Sequence, residues 1–105
     1  NGVRLAVQTM SMDPAMLRNA ALLIQSQARN LACIAAFEYE GKPQLLLMYS
    51  PDLVMAGKNA QADVKAAAKH IQGGGGGQPG LATAGGKNLA GLKDALVALI
   101  VAATN

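Results

Sequence analysis

Five consecutive glycines, Gly73 to Gly77, separate His70 from Gln78. Lys58, Lys65, Lys69 and Lys87 lie in the same stretch of chain, opposed between Ala56 and Lys87 by a single acid, Asp63. Glycines held in order expose a row of backbone N–H groups with no side chain in the way, and such a row suits an anion, above all a phosphate. Lysines beside it would supply counter-charge for a polyanion. Each feature also has a plainer reading. A glycine run on its own fits a flexible linker, lysines four apart fit a solvated helix face, and a histidine there can simply finish a helix.

Other chemistries find no support. No two carboxylates share an acid–base setting. His70 is the single histidine, so a metal site lacks its usual second ligand. Cys33 with His70 would make a bare nucleophile–base pair, but Cys33 sits in an apolar run and reads as a buried small hydrophobe. No Gly-Lys-Ser/Thr follows the glycines, so they are not a Walker loop. A helix rather than a strand precedes them, so they are not a dinucleotide fingerprint. Binding, without catalysis or cofactor, is the expectation.

The flanks favour order over a linker. The run stops at Gln78-Pro79, a short apolar piece follows at Leu81–Ala84, and Gly85-Gly86 leads to a helix start at Asn88. Two glycine turns around a short strand make a specified corner. The helix before the run delivers its negative end to it, so a bound phosphate would depend on loop N–H groups, the lysines and the start of the next helix.

The rest of the chain must position this corner. Val3 to Val7 reads as a strand. Asp13-Pro14 opens a helix as N-cap and first residue, with Leu17, Ala20, Ala21, Ile24 and Ala28 facing a sheet. Leu31 to Tyr39 and Gln44 to Tyr49 read as a hairpin about Gly41-Lys42-Pro43. Asp52 to Gly57 fits either a helical turn or a loop. Asn59 caps a helix to Ile71, whose core stripe is Val64, Ala67, Ala68 and Ile71. Leu81 to Ala84 is a strand. Asn88 to Ala103 is a last helix with Leu92, Leu96, Leu99, Ile100 and Ala103 on one face. Val97 and Val101 add a second apolar side, so the helix either lies deep in the domain, the reading favoured here, or docks on a partner subunit or a neighbouring domain. The expected fold is α/β (an α+β layer): a small four-stranded mixed sheet with three helices in the order β-α-β-β-α-β-α.

The 105 residues allow one domain, 1–105, and 51% hydrophobic against 14% charged is globular. The net charge of +3 is mild. With no Trp and only Phe37, Tyr39 and Tyr49 as aromatics, a base-stacking surface is poorly supplied. A lone cysteine, no secretory signal and no membrane-length apolar run point to the cytoplasm. Asn1 in place of an initiator Met suggests a piece of a longer protein.

Gly73 to Gly86 also resembles the glycine-rich signature of the alanyl-tRNA synthetase C-terminal domain, similar to the nucleic-acid-binding domain that accompanies DHH-type phosphoesterases. Gly75, Gly76, Gly77, Pro79, Leu81, Ala82, Ala84, Gly85 and Gly86 fit that pattern. Gln78 departs where the family has Arg or Lys, and Thr83 where it has Gln. The resemblance implies an RNA-binding module that grips the outer corner (elbow) of tRNA and helps present it to aminoacylation and editing domains. Those would lie elsewhere in an ATP-dependent alanine–tRNA ligase of protein biosynthesis. It implies alanine-specific tRNA and the other synthetase domains as partners. The RNA-facing residues would be Gly73 to Gly77, Gln78, Lys58, Lys65, Lys69, His70 and Lys87. Two alternatives stand beside it: the substrate-binding domain of a DHH-type phosphoesterase, and a homodimerisation domain built on the last helix.

Overall fold

The computed structural model describes residues 2–105; Asn1 lies outside them. The elements are β1 (Arg4–Gln8), α1 (Pro14–Gln25), β2 (Leu31–Tyr39), β3 (Lys42–Tyr49), α2 (Pro51–Met55), α3 (Ala60–Ala68), β4 (Gly74–Gln78), β5 (Leu81–Gly85) and α4 (Leu92–Thr104). Single 3-10 turns at Lys69–Ile71 and Leu89–Gly91 follow α3 and lead into α4. The strands form one mixed sheet in the order β1-β2-β3-β5-β4. β1 runs parallel to β2 through the α1 crossover, and every other pair is antiparallel.

Local chemistry accounts for most boundaries. The Asp13 carboxylate accepts the Ala15 N–H at 2.9 Å, and Pro14 stands first in α1. The Asn59 side chain accepts the Ala62 N–H at 3.2 Å and opens α3. Glu40 and Gly41 carry φ of 52° and 81°, a two-residue turn whose twist matches the hairpin strands. The hairpin is therefore tighter than a Gly41-Lys42-Pro43 turn, because Lys42 and Pro43 already belong to β3.

Two expectations of element count change. The sheet has five strands, because the glycine run is itself the edge strand β4. There are four helices, because Pro51–Met55 closes a short one behind Ser50.

One face of the sheet carries α3 and α4 over Ile34, Leu45, Leu47, Tyr49, Val64, Ile71 and Leu99, all buried. The other face carries α1 over Phe37, Leu46, Met48 and Leu81. There the expected apolar stripe of α1 only partly holds. Ala21 is the one buried residue within the helix, Leu17 is half-buried, and Ala20 and Ile24 are exposed. Small residues beneath it, Ala6, Cys33 and Ala35, leave a cavity of about 200 Å³ where a closer helix would sit. Val97 and Val101 are likewise half exposed rather than buried. The inward strip of α4 is Ala95, Leu99 and Ala103, and the 100° advance per residue puts the two valines on the opposite side.

Candidate nucleic-acid interface

Gln72, at φ 53°, turns the chain out of the 3-10 turn after α3, and the Gly73 N–H donates to Ala68 O at 3.0 Å. The glycines then pair residue for residue with β5: Gly74 with Gly85, Gly75 with Ala84, Gly76 with Thr83, Gly77 with Ala82 and Gln78 with Leu81. Pro79 and Gly80 make the connection. The Ala60 N–H donates to Pro79 O at 2.8 Å and the Tyr49 N–H to Gly80 O at 2.9 Å, which fixes the turn to α3 and β3.

The five glycines of the run divide into two sets. A Cβ on Gly73 would stand 2.1 Å from Gly85 O. On Gly75 it would stand 2.6 Å from Ala84 Cβ and 3.0 Å from Val64 of α3, and on Gly77, at φ +150°, 2.5 Å from Leu81 O. These three are glycine because backbone and helix press against them. A Cβ on Gly74 or Gly76 would meet nothing within 4 Å. Packing does not require glycine at either position.

Directly opposed residues share a face of the sheet. Gly74, Gly76 and Gln78 therefore lie with Gly85, Thr83 and Leu81 on the α1 side, while Gly75 faces α3. Along the α1 side runs a depression in three neighbouring parts. About 290 Å³ lies between the start of α1 and the sheet, bounded by Arg18, Gln44, Gly74, Thr83 and Gly85. Gln44, Gly74 and Gly85 also bound the next part, of about 430 Å³, with Lys42 and Lys87 at its rim. Arg18 also bounds a third, of about 200 Å³, with Gln25 and Gln78.

The residues expected to face a polyanion are thus distributed over both layers. Gln78 and Lys87 join the glycine strand on the α1 side. Lys65, Lys69 and His70 are exposed on α3 and the turn that follows it, in the opposite layer. Asn88 Nδ2 donates to the His70 carbonyl at 3.1 Å, so the backbone there is tied while the imidazole stays outside. Lys58 is engaged elsewhere: its Nζ donates to Ala102 O at 2.7 Å and Asn105 O at 2.8 Å, at the carboxyl end of α4. It also lies 5.9 Å from the centre of the Tyr49 ring.

Asp63, the one acid of that stretch, accepts the Tyr49 hydroxyl at 2.6 Å. Burial first, then that hydrogen bond, raises the Tyr49 phenol far above its ordinary value, so it stays protonated. Cys33, half-buried in the cavity under α1, has its thiol raised by burial. Among the described residues no group of His, Cys, Asp and Glu could hold a metal ion, and no helix is long and apolar enough to cross a membrane.

Arg18, Gln25, Lys42 and Gln44 are surface residues that sequence reasoning left out of the site. Arg18 and Gln25 are seven apart on α1, two turns along one helical face, which is the one signal the sequence carried.

Residues 2–104 match the DHHA1 domain family. The alanine–tRNA ligase of Parabacteroides distasonis is 42% identical over 100 residues, 94% of this chain and 12% of that protein. The alanine–tRNA ligase of Porphyromonas gingivalis is 40% identical over 104 residues, 97% of this chain and 12% of that one. The chain thus spans about an eighth of the length of these relatives. The C-Ala domain of Aquifex aeolicus alanyl-tRNA synthetase superposes with a TM-score of 0.81 at 23% identity, over 100% of this chain and 97% of that one. At that identity the likeness is one of fold.

Proposed function

The chain belongs to the DHHA1 domain family, and from that premise we propose that it is the tRNA-binding C-terminal module of an alanyl-tRNA synthetase. The observation that carries this reading is end-to-end similarity to alanine–tRNA ligases in a domain whose surface presents an ordered glycine strand among cations. In this reading the module performs no catalysis. It holds the outer corner of tRNA while aminoacylation and editing proceed elsewhere in the parent enzyme, in the cytoplasm. Recognition is of backbone and shape: aromatic side chains for base stacking are scarce, and folded RNA offers phosphates and 2′-hydroxyls rather than readable base edges. The glycine strand, Gln78 and Lys87 form one candidate contact. Lys65, Lys69 and His70 are exposed on the opposite layer.

The test is binding of this chain to folded tRNA and to a single-stranded RNA of equal length across a salt series. Preference for the folded tRNA, with affinity falling linearly on a log–log salt plot, is the expected result. Equal or better binding of the single strand would transfer the domain to the nucleotide-gripping role of a phosphoesterase. Dimerisation has one observation in its favour, the half-exposed pair Val97 and Val101 on the outer side of α4. Sedimentation at high protein concentration tests it.

A further inference from the structure

The glycine strand with Gln78 and Lys87 lies on one layer of the domain, and Lys65 and Lys69 on the other. Resting on the tRNA-binding reading, we infer that the RNA backbone lies in the depression between α1 and the glycine edge of the sheet, held by Arg18, Lys42 and Lys87, and that Lys65 and Lys69 take no part.

Three independent observations converge on this side. The first is Gly74 and Gly76. Their neighbours Gly73, Gly75 and Gly77 have a structural reason to lack a side chain, and these two have none. Gly74 bounds two parts of the depression, where a side chain would rise between the sheet and a phosphodiester chain, and Gly76 lies opposite Thr83 on the same face. The second is volume and continuity. The cavities of about 290 and 430 Å³ share Gln44, Gly74 and Gly85 as boundaries, and the one of about 200 Å³ shares Arg18 with the first, a trough in three parts. Gly74 and Gln78, the two ends of β4, border it. The third is chemistry. Arg18 lies at the middle, and Lys42 and Lys87 at one end, so cations are spaced along the trough. Gln44, Thr83 and Gln78 between them offer donors and acceptors to phosphate oxygens or 2′-hydroxyls.

The α3 side offers less. Lys65 and Lys69 stand on a convex helix, and the glycine facing that helix, Gly75, is occupied by contact with Val64. Lys58 already serves the end of α4. Asp13, next to Pro14 at the trough's edge, caps α1 with its carboxylate on the Ala15 N–H.

Gly76→Val adds a side chain to the α1 face of β4, where a Cβ meets nothing within 4 Å, and Arg18→Ala removes an exposed cation. Both are compared with the double variant Lys65→Ala/Lys69→Ala in tRNA binding by fluorescence anisotropy, with thermal melts as the control for folding. The expected result is that Gly76→Val weakens binding about tenfold or more at unchanged melting temperature, since it raises a side chain midway along the strand's α1 face, beside Thr83. Arg18→Ala should lower the log–log salt slope by about one. The lysine pair should change neither. Loss of binding in the lysine pair, with Gly76→Val and Arg18→Ala unaffected, would overturn the face assignment and leave the tRNA reading intact. If Gly76→Val failed to fold, Arg18→Ala and Lys42→Ala, both exposed and outside β4, would decide the matter alone. Failure of the unaltered chain to bind tRNA even at low salt would overturn the tRNA reading, and this inference with it.

Discussion

A Cβ on Gly91 would stand 1.7 Å from the carbonyl oxygen of His70, and one on Gly86 would stand 2.2 Å from that of Ile71. These contacts are backbone, and the same carbonyls accept hydrogen bonds: Ile71 O from the Lys87 and Asn88 N–H groups, His70 O from Asn88 Nδ2. Neither Gly91→Ala nor Gly86→Ala can be absorbed by a rotamer change, and each should cost about 3 kcal/mol or more in urea denaturation. Gly74→Ala and Gly76→Ala should behave in the opposite way. Both positions are open and lack positive φ, so alanine should be neutral or stabilise by about 0.4–1 kcal/mol through the unfolded chain. The same contrast decides which variants report on binding: Gly75→Val drives into Val64 and Ala84 and tests packing, whereas Gly76→Val tests the surface.

Asp52 gives the residue scale a pH dependence. Its carboxylate is held below the ordinary value of 3.8 first by a hydrogen bond from Ser50, then by the Asn30 N–H, which lies 3.0 and 3.1 Å from its two oxygens. The folded value is the lower one. Its contribution is therefore complete above the unfolded value and lost as the pH falls through the folded one. Asp52→Asn should be less stable than the unaltered chain at neutral pH, and the gap should narrow steadily below pH 3.8. A gap independent of pH would remove Asp52 from that role.

At the scale of elements, β4 is a strand by position rather than by composition. Glycine has low strand propensity and shows no alternation, so its sequence reads as a loop. What makes it a strand is β5 on one side and α3 pressed close above Gly75, and both are tertiary. In an antiparallel edge strand every second residue turns its N–H into the ladder and the others turn theirs outward. Amide exchange along Gly74–Gln78 should alternate, protected and fast, where a mobile linker would exchange uniformly. The capped helices were legible beforehand, because Asp13-Pro14 and Asn59 act through neighbours two or three residues away. The inward set of α1 was not. Periodicity names an apolar stripe, but how much of it is covered depends on what lies beneath, and here that is Ala6, Cys33 and Ala35.

For the molecule as a whole, the sequence proposes a region without orienting it. The signature Gly73 to Gly86 marks a stretch of chain, yet a strand has two faces, and one residue of register separates them. Arg18, Lys42 and Gln44 reach the glycine strand only through the sheet order β1-β2-β3-β5-β4, which no local pattern encodes. Lys58 shows the same limit from the other side. Forty-four residues from Ala102 in the chain, it reads as one more free cation until the fold closes α4 over it.

The thin attachment of α1 bears on how the domain comes apart. With Ala21 alone fully buried within it, and Leu23 at 76% exposure, this helix shares little of the free energy that holds α3 and α4 to the sheet. It should form its own low-stability foldon and open well below the global unfolding free energy. In native-state exchange under mild denaturant the N–H groups of α1 would give way first, and those of β3 and β5 last.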